Sequence, residues 1–150
     1  MKVPIYTLQL VRSAFAQYKA VRVTSAFAAK QFAIDALAFL ADRPQEEVWV
    51  VTLDTKLKPI GLHHVTTGTL DASMVHPREV FRNAFLVNAA AILLVHNHPS
   101  GDVSPSRQDH EVTDRIKKCG EMLGVSCLDH LIIGTDDNGQ PRAYSLADCS

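Results

Sequence analysis

Ala89-Ala90-Ala91-Ile92-Leu93-Leu94-Val95 runs without a break into His96-Asn97-His98-Pro99-Ser100-Gly101. Seven small or aliphatic residues in a row leave neither alternating face of a strand polar, which is the pattern of a central strand covered by helices on both sides. The change at its end is abrupt: two imidazoles two positions apart, then the turn chemistry of Pro99-Ser100-Gly101. The chain therefore delivers polar side chains at the end of its most apolar segment, at a strand-to-helix junction of the kind where function concentrates.

Working outward, Pro77 opens a helix at its first position, with Val80, Phe81, Ala84, Phe85 and Val87 on its buried side as far as Asn88. Before it, Val48-Trp49-Val50-Val51 and Leu53 form a β-rich run closed by Asp54-Thr55-Lys56, and a second strand over about 60–70 completes a hairpin. Ser25 serves as N-cap to a helix over 25–42, in which Phe27, Ala28, Phe32, Ala33, Leu37 and Leu40 recur at helical spacing until Asp42 and Pro44. Residues 3–11 alternate loosely through Val3, Ile5, Leu8 and Leu10 and read as a strand or extended arm, with Pro4 where no ladder donor is needed. Downstream, Pro105 and Ser106 begin a helix to about Leu123, capped by Gly124; residues 125–133 read as a strand ending at Gly134, and 136–150 as turns. Helix, hairpin, helix, strand, helix, strand predicts an α/β fold, a three-layer sandwich with helices on both sides of a mixed sheet.

The 150 residues suit one domain with a real core, and the balance of 47% hydrophobic to 21% charged residues excludes a disordered or fibrous chain. No run approaches the roughly 18 apolar residues of a membrane span, and residues 1–20, broken by Thr7, Gln9, Arg12 and Ser13, form no secretory core. Cys119, Cys127 and Cys149 are odd in number and lack CxxC spacing, which fits a reducing cytoplasm better than a disulfide framework or a cysteine zinc knuckle. Lys2, Arg12, Lys19, Arg22 and Lys30 all precede the first acid, Asp35. We therefore divide the chain into a basic arm, 1–24, and a domain, 25–150; such an arm suits DNA or an acidic partner, resembles an acid-poor transit peptide, or is simply a solvated edge.

Strand side chains two apart point the same way, so His96 and His98 present both imidazoles to one point just beyond the strand. The turn folds the chain back, and Asp109 in the first turn of the following helix supplies an oxygen. Three protein ligands leave a fourth position for water, the mark of a catalytic rather than a structural zinc site. Each signal has a plainer reading. Ser106 and Asp109 alone make a capping box, and Ser104-Pro105 offers a competing cap that would release them for other work.

His96, His98, Ser106 and Asp109, with seven residues between His98 and Ser106 and two before Asp109, match the JAMM motif of the JAB/MPN metalloproteases. Gly68-Thr69-Leu70, His76-Pro77-Arg78-Glu79, the stretch from His96 to Gly101 and Leu128-Asp129-His130 resemble the RadC branch of that family, over about residues 45–146. The resemblance implies the JAB/MPN architecture, related to that of the cytidine deaminases. It also implies zinc on His96, His98 and Asp109, with Ser106 helping to hold a polarised carbonyl oxygen. It further implies an upstream glutamate as general base at the start of the first core strand, where Glu47 matches best. Glu46 would face the opposite side of the sheet, and Glu79 sits where an acid complements a helix dipole. His63, His64, His76 and His110 read as structural, while His130 after Asp129 is a candidate to orient a metal ligand.

The expected activity is zinc-dependent hydrolysis of a peptide, isopeptide or small amide. Zinc deaminases are excluded, because the chain lacks their H-x-E and P-C-x-x-C signature, and no H-E-x-x-H helix is present. A DNA-repair-associated binding or interaction module without turnover is the alternative. It draws on the repair label of the RadC branch and on the basic arm, although a net charge of −1 and too little chain before residue 25 for the helix-hairpin-helix region of many RadC-like proteins speak against it. A scaffold with a vestigial metal site is the third reading. These motifs encode neither the substrate nor an oligomeric state.

Overall fold

The computed structural model describes residues 1–7, 9–19, 22–68 and 75–149, with nothing described of the Cys149 side chain. Leu8, Thr69, Leu70 and the side chain of Cys149, which figure in the reading above, lie outside the described residues. Five strands form one mixed sheet in the order β2-β1-β3-β4-β5: β1 (Glu47–Leu53), β2 (Pro59–Thr67), β3 (Ala91–Asn97), β4 (Ser126–Thr135) and β5 (Pro141–Ser145). Only β3 and β4 run parallel; β1 is antiparallel to both β2 and β3, and β5 is antiparallel to β4. Three α-helices accompany them among the described residues: α1 (Ala26–Leu37), α2 (Pro77–Leu86) and α3 (Arg107–Leu123).

The apolar run of residues 89–95 supplies the middle strand, and every residue of β3 is buried. Its odd positions, Ala91, Leu93 and Val95, pack with Phe32, Ala33 and Leu37 of α1 and with Val51 and Leu53 of β1. Its even positions, Ile92 and Leu94, pack with Phe81 and Ala84 of α2 and with Val112 and Ile116 of α3. The layers are therefore α1, sheet, and α2 with α3, the three-layer sandwich expected. Each fully buried aliphatic side chain contributes about 1.5–3 kcal/mol, which is why the chain commits its longest apolar run to this position.

The helix expected over 25–42 forms with Ser25 as N-cap, but its last turn tightens into a 3₁₀ turn, Ala38–Asp42. The tail is a correction: the segment read as turns contains β5 and a 3₁₀ turn, Leu146–Cys149. It is held by buried Asp129, whose carboxylate accepts from Ser145 Oγ at 2.6 Å and from the Ala147 amide at 3.1 Å. The described residues of the arm within 1–19 form neither helix nor strand, and Val3, Ile5 and Leu10 are exposed. Among the described residues no helix is long and apolar enough to cross a membrane.

One irregularity in β4 matters for the site. The pairing steps from Ile92↔Cys127 to Leu93↔Asp129, so Leu128 is an extra residue, a β-bulge that reverses the alternation of the strand. Cys127 packs on the α2/α3 side, whereas Leu131 and Ile133 pack on the α1 side. His130 is thereby turned onto the face that carries His96.

Candidate metal centre

His96 lies near the end of β3, fully buried, and His98 follows the last strand residue, half-buried. Both sit on the α2/α3 side, with their Nε2 atoms 3.0 Å apart. His98 is placed by the turn after it. Its amide donates to Ile133 of β4 at 3.0 Å, the Gly101 amide donates back to the His98 carbonyl at 2.9 Å, and the Thr135 amide donates to the Gly101 carbonyl at 3.1 Å. Gly101 has φ +81°, and a Cβ on Gly134 would collide with the Gly101 carbonyl, so the loop lies flat on bare backbone.

Asp109 arrives from α3, and here the structure departs from the expected division of labour. Ser106, not Ser104, is the N-cap of a full capping box: Ser106 Oγ accepts from the Asp109 amide at 3.1 Å, and Asp109 Oδ2 accepts from the Ser106 amide at 2.6 Å. The Ser106 hydroxyl also donates to Oδ2, at 2.8 Å. The other oxygen, Oδ1, faces His96 Nε2 at 3.2 Å, and Oδ2 lies 3.5 Å from His98 Nε2. One carboxylate thus caps the helix with Oδ2, which also lies against His98, and meets His96 with Oδ1, so no release from the cap is required.

The hydrogen-bond network assigns the tautomers. A carbonyl only accepts, so the contact of 2.6 Å between the Asp102 carbonyl and His98 places a proton on His98 Nδ1. On the other side, the Thr113 hydroxyl donates to the Asp109 carbonyl at 2.6 Å, so its 2.6 Å contact with His130 requires His130 Nδ1 to be the donor. Burial drives the His130 pKa well down and keeps the ring neutral, so its Nε2 accepts from His96 Nδ1 at 2.7 Å. His96 and His98 therefore both carry a hydrogen on Nδ1 and turn Nε2 lone pairs toward each other, an arrangement that needs a cation or a proton between them.

The donor set fits a small divalent cation. Two nitrogens on a tetrahedral ion with bonds of about 2.0–2.1 Å lie about 3.3 Å apart, close to the 3.0, 3.2 and 3.5 Å separations among His96, His98 and Asp109. Burial works to raise the Asp109 pKa, but the His96 and His98 imidazoles and the Ser106 amide outweigh it and hold the carboxyl far below the usual range. The hydrogen bond to Asp109 raises the His98 pKa above its ordinary 6.5 against the opposing effect of burial. A proton on His98 and a cation would therefore compete for the same position.

The glutamate is a correction. Glu47 was expected at the metal, but its side chain lies on the α1 face, accepting from Trp49 Nε1 at 3.0 Å and pairing with Arg43 at 3.4 Å. Glu46 is the one beside the imidazoles: its Oε1 lies 3.9 Å from His98 Nε2, and Glu46, His96 and His98 each offer a ligand atom within 4.8 Å of the others. The pairing Val48↔His96 explains this, because cross-strand partners share a face and Glu46 is two residues before Val48. Fully buried Asn97 points to the opposite face from the histidines and clamps the backbone around Glu46. Its Oδ1 accepts from the Glu47 amide at 2.8 Å, and its Nδ2 donates to the Gln45 carbonyl at 3.1 Å. Thr113 and Asn97 were not singled out in the sequence; the signal for Asn97 was its place between the two histidines, where alternation aims it at the strand entry.

The other candidates are placed elsewhere. Glu79 pairs with Arg78 and Arg82 in the first turn of α2, which His76 caps. His63 and His64 bond to Thr52 and Thr67, and His110 is exposed. Burial pushes the Cys127 thiol up to about 12, leaving it unreactive.

Two converging lone-pair nitrogens and a buried carboxylate at the end of a central strand define an α/β domain organised around a candidate metal centre. Residues 23–149 match the RadC-like JAB domain, and the chain belongs to that family. It is 57% identical over 90 residues to a UPF0758 protein of Clostridium kluyveri and 53% identical over 89 residues to a UPF0758 protein of Thermotoga maritima. These matches cover 60% and 59% of this chain and 40% of each relative. A UPF0758 protein of Chlorobaculum parvum is 46% identical over 107 residues, 71% of this chain and 48% of that protein. The chain thus matches under half the length of each of these relatives.

Proposed function

We propose that the domain is a zinc-dependent hydrolase that cleaves an amide bond, in a peptide, an isopeptide or a small amide. The observation that carries this reading is the pair of Nε2 lone pairs 3.0 Å apart, both Nδ1 positions already committed, with Asp109 closing the third side. His96, His98 and Asp109 would hold the ion. Bound there, zinc supplies Lewis-acid polarisation of a carbonyl and a water acidified to a pKa of about 7.

The chain's own groups do the rest. Glu46, on the same face and 3.9 Å from His98, takes the water's proton and returns it to the leaving nitrogen. Asn97 keeps the backbone on either side of Glu46 in place. The exposed Ser106 hydroxyl, which donates to Asp109 Oδ2 here, turns to the substrate oxygen once that carboxylate is engaged, adding a donor where negative charge develops. Metal analysis of the purified chain, beside a screen of peptides, isopeptides and small amides with and without chelator, tests the proposal. Chelator-sensitive turnover is expected, and a chain that binds no stoichiometric zinc would end it.

The DNA-binding reading rests on the arm, where Lys2, Arg12 and Lys19 are exposed. A titration across salt concentrations decides it, since phosphate contacts impose a salt-dependent affinity.

A further inference from the structure

We infer that Thr113, which reaches Asp109 through its backbone carbonyl, governs metal binding through His130 by fixing which nitrogen of His96 carries its proton. This rests on the metal-site reading above. The relay is short and buried throughout: Thr113 Oγ1 to the Asp109 carbonyl at 2.6 Å, to His130 Nδ1 at 2.6 Å, then His130 Nε2 to His96 Nδ1 at 2.7 Å. Each element is positioned for it. Thr113 lies one helical turn after Asp109, so hydroxyl and carbonyl meet on one face of α3, and the bulge at Leu128 turns His130 inward.

The relay has two directions. With the Thr113 hydroxyl donating to Asp109, His130 must donate from Nδ1 and accept at Nε2, and His96 presents a bare Nε2 to the site. Remove the hydroxyl and His130 Nδ1 loses its acceptor. Its proton is then free to sit on Nε2, where it donates to His96 Nδ1 and moves the His96 proton onto Nε2, facing the ion. A histidine in that tautomer is no ligand. Thr113 and His130 are positioning residues, and a single hydroxyl hydrogen, two residues removed from the imidazole, sets the polarity of the relay.

The test uses the whole chain with Thr113→Val, which keeps shape and removes the hydroxyl, and Thr113→Ser, which restores it. Long-range ¹H–¹⁵N correlations on the metal-free protein report the His96 tautomer directly. The parent and Thr113→Ser should show hydrogen on Nδ1, and Thr113→Val should show an Nε2–H population. Zinc affinity, by competition with a chromophoric chelator, should fall about 10- to 100-fold in Thr113→Val, the usual effect of losing an outer partner, and recover in Thr113→Ser. A parent whose His96 is protonated on Nε2, or a folded Thr113→Val that binds zinc as the parent does, overturns the inference. Neither readout involves turnover. A parent that bound no zinc would sink the metal reading, while its own tautomer, which needs no variant, still decides the relay.

Discussion

Replacing Asn97 by alanine tests whether the residue between the two histidines holds the strand that carries Glu46. The substitution deletes two hydrogen bonds, of 2.8 Å from the Glu47 amide and 3.1 Å to the Gln45 carbonyl. Gln45 is exposed, so its carbonyl regains water and the loss there is near the net value of about 1 kcal/mol. The Glu47 amide is half-buried and faces the emptied space left by a fully buried side chain, which adds about 1–3 kcal/mol. The expected destabilisation is about 2–4 kcal/mol, or roughly 4–16 °C in Tm for a domain of this size. Urea unfolding with an unchanged m-value gives the first number, and amide exchange at Glu47, which should lose protection, locates the damage. Asn138→Ala, at an exposed turn, is the control and should stay within about 0.5 kcal/mol. A loss below about 1 kcal/mol, or a Glu47 amide as protected as in the parent, refutes the clamp.

With an amide substrate in hand, Glu46→Gln should abolish turnover while zinc stays bound, and Glu47→Gln should retain most activity; the reverse result would restore Glu47 as the base. Because the His98 pKa is raised above 6.5, zinc must displace a proton below that point: log Kd should fall by about one per pH unit and flatten only above 6.5. Flattening below 6.5 would contradict the His98–Asp109 contact. Unfolding stability is the wrong readout for this, because His130, kept neutral with its pKa depressed, makes the fold more stable as pH rises toward 6.5, while the raised His98 contributes stability that is lost above it. Gly134→Ala should displace the loop at Gly101 and weaken zinc binding with little change in helix content, measured by chelator competition and circular dichroism.

The convergence of His96, His98 and Asp109 was legible because its parts are local: strand alternation relates His96 to His98, and a turn followed by a helix cap places Asp109. The glutamate was not, although the argument that only one of Glu46 and Glu47 faces the histidines was sound. A half-solvated strand marks its inner face with apolar residues. β1 and β3 are covered on both faces, so Val48 and Trp49 give no sign of which side the histidines take, and only the pairing Val48↔His96 decides it. β5 escaped notice because Pro141-Arg142-Ala143-Tyr144-Ser145 is a short edge strand without a strong apolar pattern. His130 was named as a candidate to orient a ligand from its place after Asp129, but its face was hidden: strict alternation puts it on the wrong side, and the bulge before it leaves no mark in composition.

Around that extra residue, part of the site is wired by register rather than by chemistry. The Leu128 side chain is partly exposed, at 37%, so many residue types would serve there. Removing the position altogether would take out only the bulge: Cys127, Asp129 and His130 would alternate plainly opposite Ile92, Leu93 and Leu94, and His130 would keep the face it shares with His96. A one-codon deletion at position 128 and a swapped letter there should therefore agree in leaving the histidine wiring intact, because what fixes His130 is its register opposite Leu94 and not the identity of the residue looped out before it.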